Sequence, residues 1–135
     1  MVPAIGDADL LAGFTACTLS AASFGHREHV RLAFVVLAMH GDFGDAAIQY
    51  RQLLRAFAAH HGAHARYHET ITWAYLAIVH ARMATGSYAD SEALLAAHPD
   101  LLDHRSGALA DYYDVSATIS DPLARRVFVL PRRSR

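Results

Sequence analysis

Apolar positions recur at helical rather than alternating spacing along almost the whole chain, and capping and breaking residues cut that pattern into discrete helices. Asp7 stands where a helix cap is needed, and Leu10, Leu11 and Phe14 share one face of a first helix ending near Cys17. Residues 20–25 form a turn into a second helix over 26–40, stopped by Gly41. Asp42 or Asp45 starts a third over 46–61, with Tyr50, Leu53, Leu54 and Phe57 inside and Gly62 at its end. A fourth over 65–85 is apolar nearly all round in its middle, the signature of a central element. Beyond it, Asp90 caps a short helix over 91–97 that Pro99 stops. Ser106-Gly107 lead into a short helix through Tyr112 and Tyr113, and Asp121-Pro122 is an N-cap followed by proline at the first helical position. Residues 127–131 read as extended and 131–135 as a frayed tail.

The pattern predicts one all-α domain over 1–135, an orthogonal or up-down bundle of five to seven helices centred on the three long ones. Composition agrees: 53% hydrophobic and 19% charged residues over 135 positions is a globular balance, enough to bury a core and too apolar for disorder. A net charge of −1 gives no general attraction to nucleic acid or to an acidic membrane, so neither is an expected partner. The longest apolar runs, 32–39 and 73–79, are too short to cross a bilayer. Cys17 is the only cysteine, which excludes an internal disulfide and a thiolate metal cage. With no basic leader before an apolar stretch, the expected compartment is cytoplasmic.

Candidate chemistry gathers where the second and fourth helices begin. His26, His29, Val30, Ala33, Leu37 and His40 fall on one stripe, so the two leading histidines continue a core-facing side. Glu28 lies at the border of that stripe and Arg31 further round, toward solvent. In the tetrad Tyr67-His68-Glu69-Thr70, a helix over 65–85 would put His68 on the face of Thr72, Tyr75 and Val79. Glu69 would stand about 100° round, above Trp73 and Leu76. Three imidazoles and a carboxylate suit a first-row divalent transition metal (Zn, Fe, Mn, Ni or Cu), so His26, His29, His68 and Glu69 form the candidate metal set. Glu28 is the reserve carboxylate, Glu69 or Glu28 a candidate catalytic base, and Tyr113 a candidate hydroxyl donor. The plain alternatives are histidines bonded to backbone carbonyls, and a Glu69 paired with Arg31 or Arg66.

The remaining histidines read as ordinary. His60, His61 and His64 straddle Gly62 at a helix end and read as solvated, with His60 and His61 favouring its dipole, while His40, His80, His98 and His104 are isolated. There is no glycine-rich phosphate loop, G-x-S-x-G, H-E-x-x-H or EF-hand loop. The arginines at 125–126 and 132–135 read as a solvated basic patch.

Phe24-x-His26-x-x-His29-Val-Arg31-Leu-Ala33, then Tyr67-His68-Glu69-Thr70-Ile71-Thr72, a Tyr-Tyr pair and an Ala-Arg-x-x-Phe-x-x-Pro ending together resemble a family of small, uncharacterised all-α bacterial proteins. The resemblance spans roughly residues 10–131, and the two histidine motifs are its most specific parts. It implies the fold and the choice of site but no reaction. Its members often carry an acidic residue after the final proline, where this chain has Arg132.

Three functional expectations follow. The first is a small metal-dependent enzyme in which the ion activates water or a substrate oxygen on a small organic molecule. The second is a metal-free isomerase, cyclase or lyase working by acid–base chemistry, and the third a non-catalytic binding module with structural histidines. For assembly, alanine-rich surfaces on the third and fourth helices suit a C2 homodimer, and a monomer covered by its own C-terminal helices is the alternative.

Overall fold

A helix with eight consecutive buried side chains organises the molecule. In α2 (His26–Met39) every residue from 30 to 37 is buried, so this helix is enclosed on all sides. The computed structural model describes residues 5–104 and 106–131. Within them α1 (Asp7–Thr15), α3 (Phe43–His60), α4 (Glu69–Met83) and α5 (Ser91–Ala97) surround α2, and all four touch it. Two short helices, α6 (Val115–Ser120) and α7 (Pro122–Arg126), complete an all-α fold of seven α-helices among the described residues. Neighbouring helices are joined by short 3₁₀ turns at Ala21–Ser23, His64–Arg66, Pro99–Leu102 and Ala108–Asp111. No helix among the described residues is long and apolar enough to cross a membrane.

The core follows the apolar stripes. Phe14 of α1 stacks on Phe57 of α3 at 4.4 Å between ring centroids, and Phe24 closes on Phe14 at 4.0 Å. Leu32, Ala33 and Val36 of α2 share one buried core with Leu76 and Val79 of α4. At roughly 1.5–3 kcal/mol for each fully buried large side chain, these contacts are the main favourable term of folding. Cover for α4 comes from within the chain, from α2, α3 and α7.

Helix starts follow the capping rules, with informative exceptions. Asp42, Asp90, Asp114 and Asp121 each accept a backbone N–H of the first turn of α3, α5, α6 and α7. Asp7 does not cap α1. Gly6 holds that position, and the Asp7 carboxylate instead binds Arg31, Ser91 Oγ and the Ser91 N–H. Arg31, expected toward solvent, is only 2% exposed. A helix ringed by neighbours has no solvent side, and its charge is met by Asp7, Ser91, Glu92 and the Ile5 carbonyl.

The largest departure concerns the fourth helix. Residues 64–66 form a 3₁₀ turn, and α4 begins only at Glu69, four positions later than the apolar pattern suggests. His68 is its N-cap, in extended backbone, with Nδ1 accepting the Ile71 N–H at 3.2 Å. An acceptor beside its own backbone stops the helix from extending backwards. At the other end of the chain, Thr70 clamps the extended segment after α7, donating to the Val127 carbonyl at 2.8 Å and accepting the Val129 N–H at 3.0 Å. The frayed tail expected from the sequence lies, after Pro131, outside the described residues.

Candidate functional site

Where the starts of α2 and α4 approach each other, the fold leaves a cavity of about 490 Å³. Phe24, Val30, Leu54, Phe57 and Ile71 make most of its wall apolar, and Tyr50, fully buried, donates its hydroxyl to the His29 carbonyl at 3.0 Å. His26, His29 and His68 all line this space. His61, read as solvated, lines it too, with Nε2 donating to the Leu19 carbonyl at 3.1 Å and the ring packed on Phe57.

The expected metal quartet does not assemble. Among the described residues no three His, Cys, Asp or Glu side chains are placed to hold one ion. His68 has neither nitrogen to spare. Nδ1 caps α4, which requires the tautomer with a proton on Nε2, and that proton goes to the Thr118 carbonyl at 2.8 Å. Glu69 faces a different cleft, where it accepts both Arg51 Nε (2.9 and 3.0 Å) and the Tyr67 hydroxyl (2.5 Å). Burial opposes its ionisation, but the bonds from Arg51 and Tyr67 outweigh that and hold its carboxyl below the ordinary range. Its partner is thus Arg51, not Arg31 or Arg66.

The other two predicted groups also serve the backbone. Glu28 reaches back to the Gly25 N–H at 3.0 Å and steadies the start of α2. Tyr113 donates to the Val129 carbonyl at 2.8 Å, tying down the C-terminal segment away from the cavity. Thr72, a cavity neighbour, back-bonds to the His68 carbonyl at 2.8 Å.

His29 and His26 keep chemical capacity. His29 donates through Nδ1 to the Gly25 carbonyl at 2.8 Å, leaving Nε2 as the acceptor. Burial against Phe24 pushes its imidazole down to about 4, so it is neutral near pH 7. His26 donates through Nε2 to the Leu101 carbonyl at 2.8 Å, leaving Nδ1 as its acceptor. Burial lowers its pKa as well, against the opposing pull of that carbonyl.

Two groups that sequence reasoning passed over complete the cluster. The Tyr75 ring lies 4.9 Å from that of His26, His104 lies 5.0 Å from it, and the Tyr75 and His104 rings run nearly parallel at 6.5 Å. Tyr75 and His104 line the cavity, and the Tyr75 hydroxyl and the His104 Nδ1 are buried with no hydrogen-bond partner among the described residues. Such orphans cost about 1–3 kcal/mol each, which makes them pointers to function rather than stability. Burial, with the negative Asp103 nearby, pushes the Tyr75 hydroxyl up to about 12, so it stays protonated at neutral pH. The helical periodicity already put Tyr75 on the His68 face. Nothing in spacing pointed to His104, which arrives on a turn between 3₁₀ segments.

That turn is held by Gly107. A Cβ there would press into the carbonyl oxygens of Asp100 and Asp103, both backbone atoms that cannot step aside. Gly107→Ala is therefore expected to displace His104 and to lower stability by about 1–3 kcal/mol, the usual range for overpacking. Thermal unfolding, with the His104 imidazole resonances as a second readout, checks this. Wild-type stability and unmoved His104 signals would refute it.

Comparison with protein-family models, curated proteins and solved structures gives no match. The geometry alone carries the functional argument.

Proposed function

We propose that the protein is a small metal-free acid–base enzyme that binds a neutral, largely apolar carbonyl compound in the 490 Å³ cavity and moves a proton on it. The observation that carries this reading is the pair of buried orphan atoms, Tyr75 Oη and His104 Nδ1, on two residues that line one cavity beside His26. Tyr75, held protonated, donates a hydrogen bond to the substrate carbonyl oxygen. Nδ1 of His26, left as an acceptor by the Nε2 bond to Leu101, takes the proton from the carbon next to that carbonyl. The electron pair moves onto the oxygen, where the Tyr75 hydroxyl stabilises the enolate. Return of the proton to another carbon completes an isomerisation, and expulsion of a leaving group instead makes the same step a lyase reaction. Neither route needs a co-reactant. Apolar walls suit a substrate without charge, since burying an unpaired ion there costs too much.

Solvent-deuterium exchange next to the carbonyl tests this without knowledge of the natural substrate. A panel of small apolar ketones in D2O, followed by proton NMR, should include members whose exchange the protein accelerates. Tyr75→Phe should slow that exchange by about 10²-fold or more, the cost of losing an oxyanion donor. The same change should leave the melting temperature unchanged or slightly raised, because it deletes an unsatisfied buried hydroxyl. Saturable ketone binding with no exchange would identify a non-catalytic binding module instead. No binding, or undiminished exchange in the variant, would defeat the assignment of Tyr75.

A further inference from the structure

Behind the wall formed by Tyr67 and Arg125, which line both spaces, a second cleft of about 450 Å³ opens on the surface. Arg51 and Arg55 reach it from α3, one helical turn apart on the same face, and Arg125 and Arg126 from α7. Four guanidinium groups thus face one carboxylate, Glu69, which pairs with Arg51. Arg55, Arg125 and Arg126 form no ion pair among the described residues. Arg55 rests over the Tyr67 ring at 5.8 Å. Arg125 is locked in place by the carbonyls of Ala65 (3.0 Å), Tyr67 (3.3 Å) and Ile119 (3.0 Å), which fix its position without cancelling its charge.

In a chain of net charge −1, crowding a third of all arginines around one concavity is a local arrangement that costs like-charge repulsion. An anion relieves that repulsion, and guanidinium forks match phosphate oxygens in geometry as well as charge. We propose that this cleft binds the phosphate group of a small molecule, with Arg55 and Arg126 closing on it over the fixed Arg125. Its volume fits a small ligand, and a net charge of −1 gives the chain no general attraction to a polyanion. The site is separate from the acid–base cluster and does not depend on that reading.

Inorganic pyrophosphate is the probe, titrated calorimetrically at constant ionic strength in sodium chloride. The expected result is saturable binding to one site. The double variant Arg55→Gln/Arg126→Gln should bind roughly tenfold or more weakly, since bonds to a charged partner are the strong ones and 1.4 kcal/mol is a factor of ten. Both side chains are exposed, so far-UV circular dichroism should show an unchanged fold. Tyr75→Phe should bind pyrophosphate as the wild type does, which separates this site from the apolar cavity. Absence of saturable heat, or equal affinity in the double variant, would overturn the proposal. So would capture by anionic vesicles or an oligonucleotide without any response to pyrophosphate.

Discussion

Acidification from pH 7 to about 4.5 should destabilise the fold through its buried imidazoles. The unfolded chain protonates His29 near its ordinary 6.5, while the folded protein resists until about 4. Between those values the unfolded state binds more protons, so stability falls as pH drops through 6.5 and levels off near 4. At about 1.4 kcal/mol per pH unit, this one imidazole accounts for up to about 3 kcal/mol. His26 and His68 are shifted in the same direction, by burial first, and add to the loss. Asp7 and Glu69 have lowered pKa values, so their stabilisation persists until the pH falls below the ordinary carboxylate range. Urea midpoints followed by far-UV circular dichroism should therefore decline below pH 6.5, and His29→Gln should flatten that decline. Midpoints that stay level down to pH 4.5 would contradict the buried, neutral state of these imidazoles.

Arg31→Ala should be among the most damaging substitutions in the chain. Arg31 Nε donates to Ser91 Oγ at 2.8 Å, and its terminal nitrogen reaches Asp7 at 3.1 Å and the Ile5 carbonyl. Asp7 in turn holds the Ser91 N–H at 2.8 Å and its hydroxyl at 2.5 Å, so one guanidinium ties α1, α2 and α5 together. Removing it takes a buried charge from a part-buried carboxylate and opens a void, a loss of about 3–5 kcal/mol. In a domain of this size that corresponds to roughly ten degrees or more in melting temperature. Arg31→Lys should recover little, because an ammonium cannot span three acceptors as a planar fork does. A cycle with Asp7→Ala should show strong non-additivity. A melting temperature unmoved by Arg31→Ala would mean the network contributes nothing.

The fold was legible because helical periodicity and helix punctuation are local. Asp90 and Asp121 start helices as read, Asp42 rather than Asp45 starts α3, and Gly62, with φ of +65°, ends α3 where expected. That His26 and His29 turn inward was legible too, since they share the apolar stripe that leads into the core. The roles within it were not. Whether an imidazole is free for chemistry depends on what its second nitrogen meets. For His68 that partner is the Thr118 carbonyl, fifty residues on.

By itself, then, the sequence determined the helical class, most helix limits and the apolar faces, because backbone hydrogen bonding and side-chain period act over a few residues. Tertiary structure alone decided that Arg31 is enclosed, that Glu69 turns to Arg51, and that His104 joins Tyr75 and His26 across one cavity. Each of those outcomes depends on contacts between distant segments. Burial and pairing there set the charge and availability of a side chain, and no spacing along the chain encodes them.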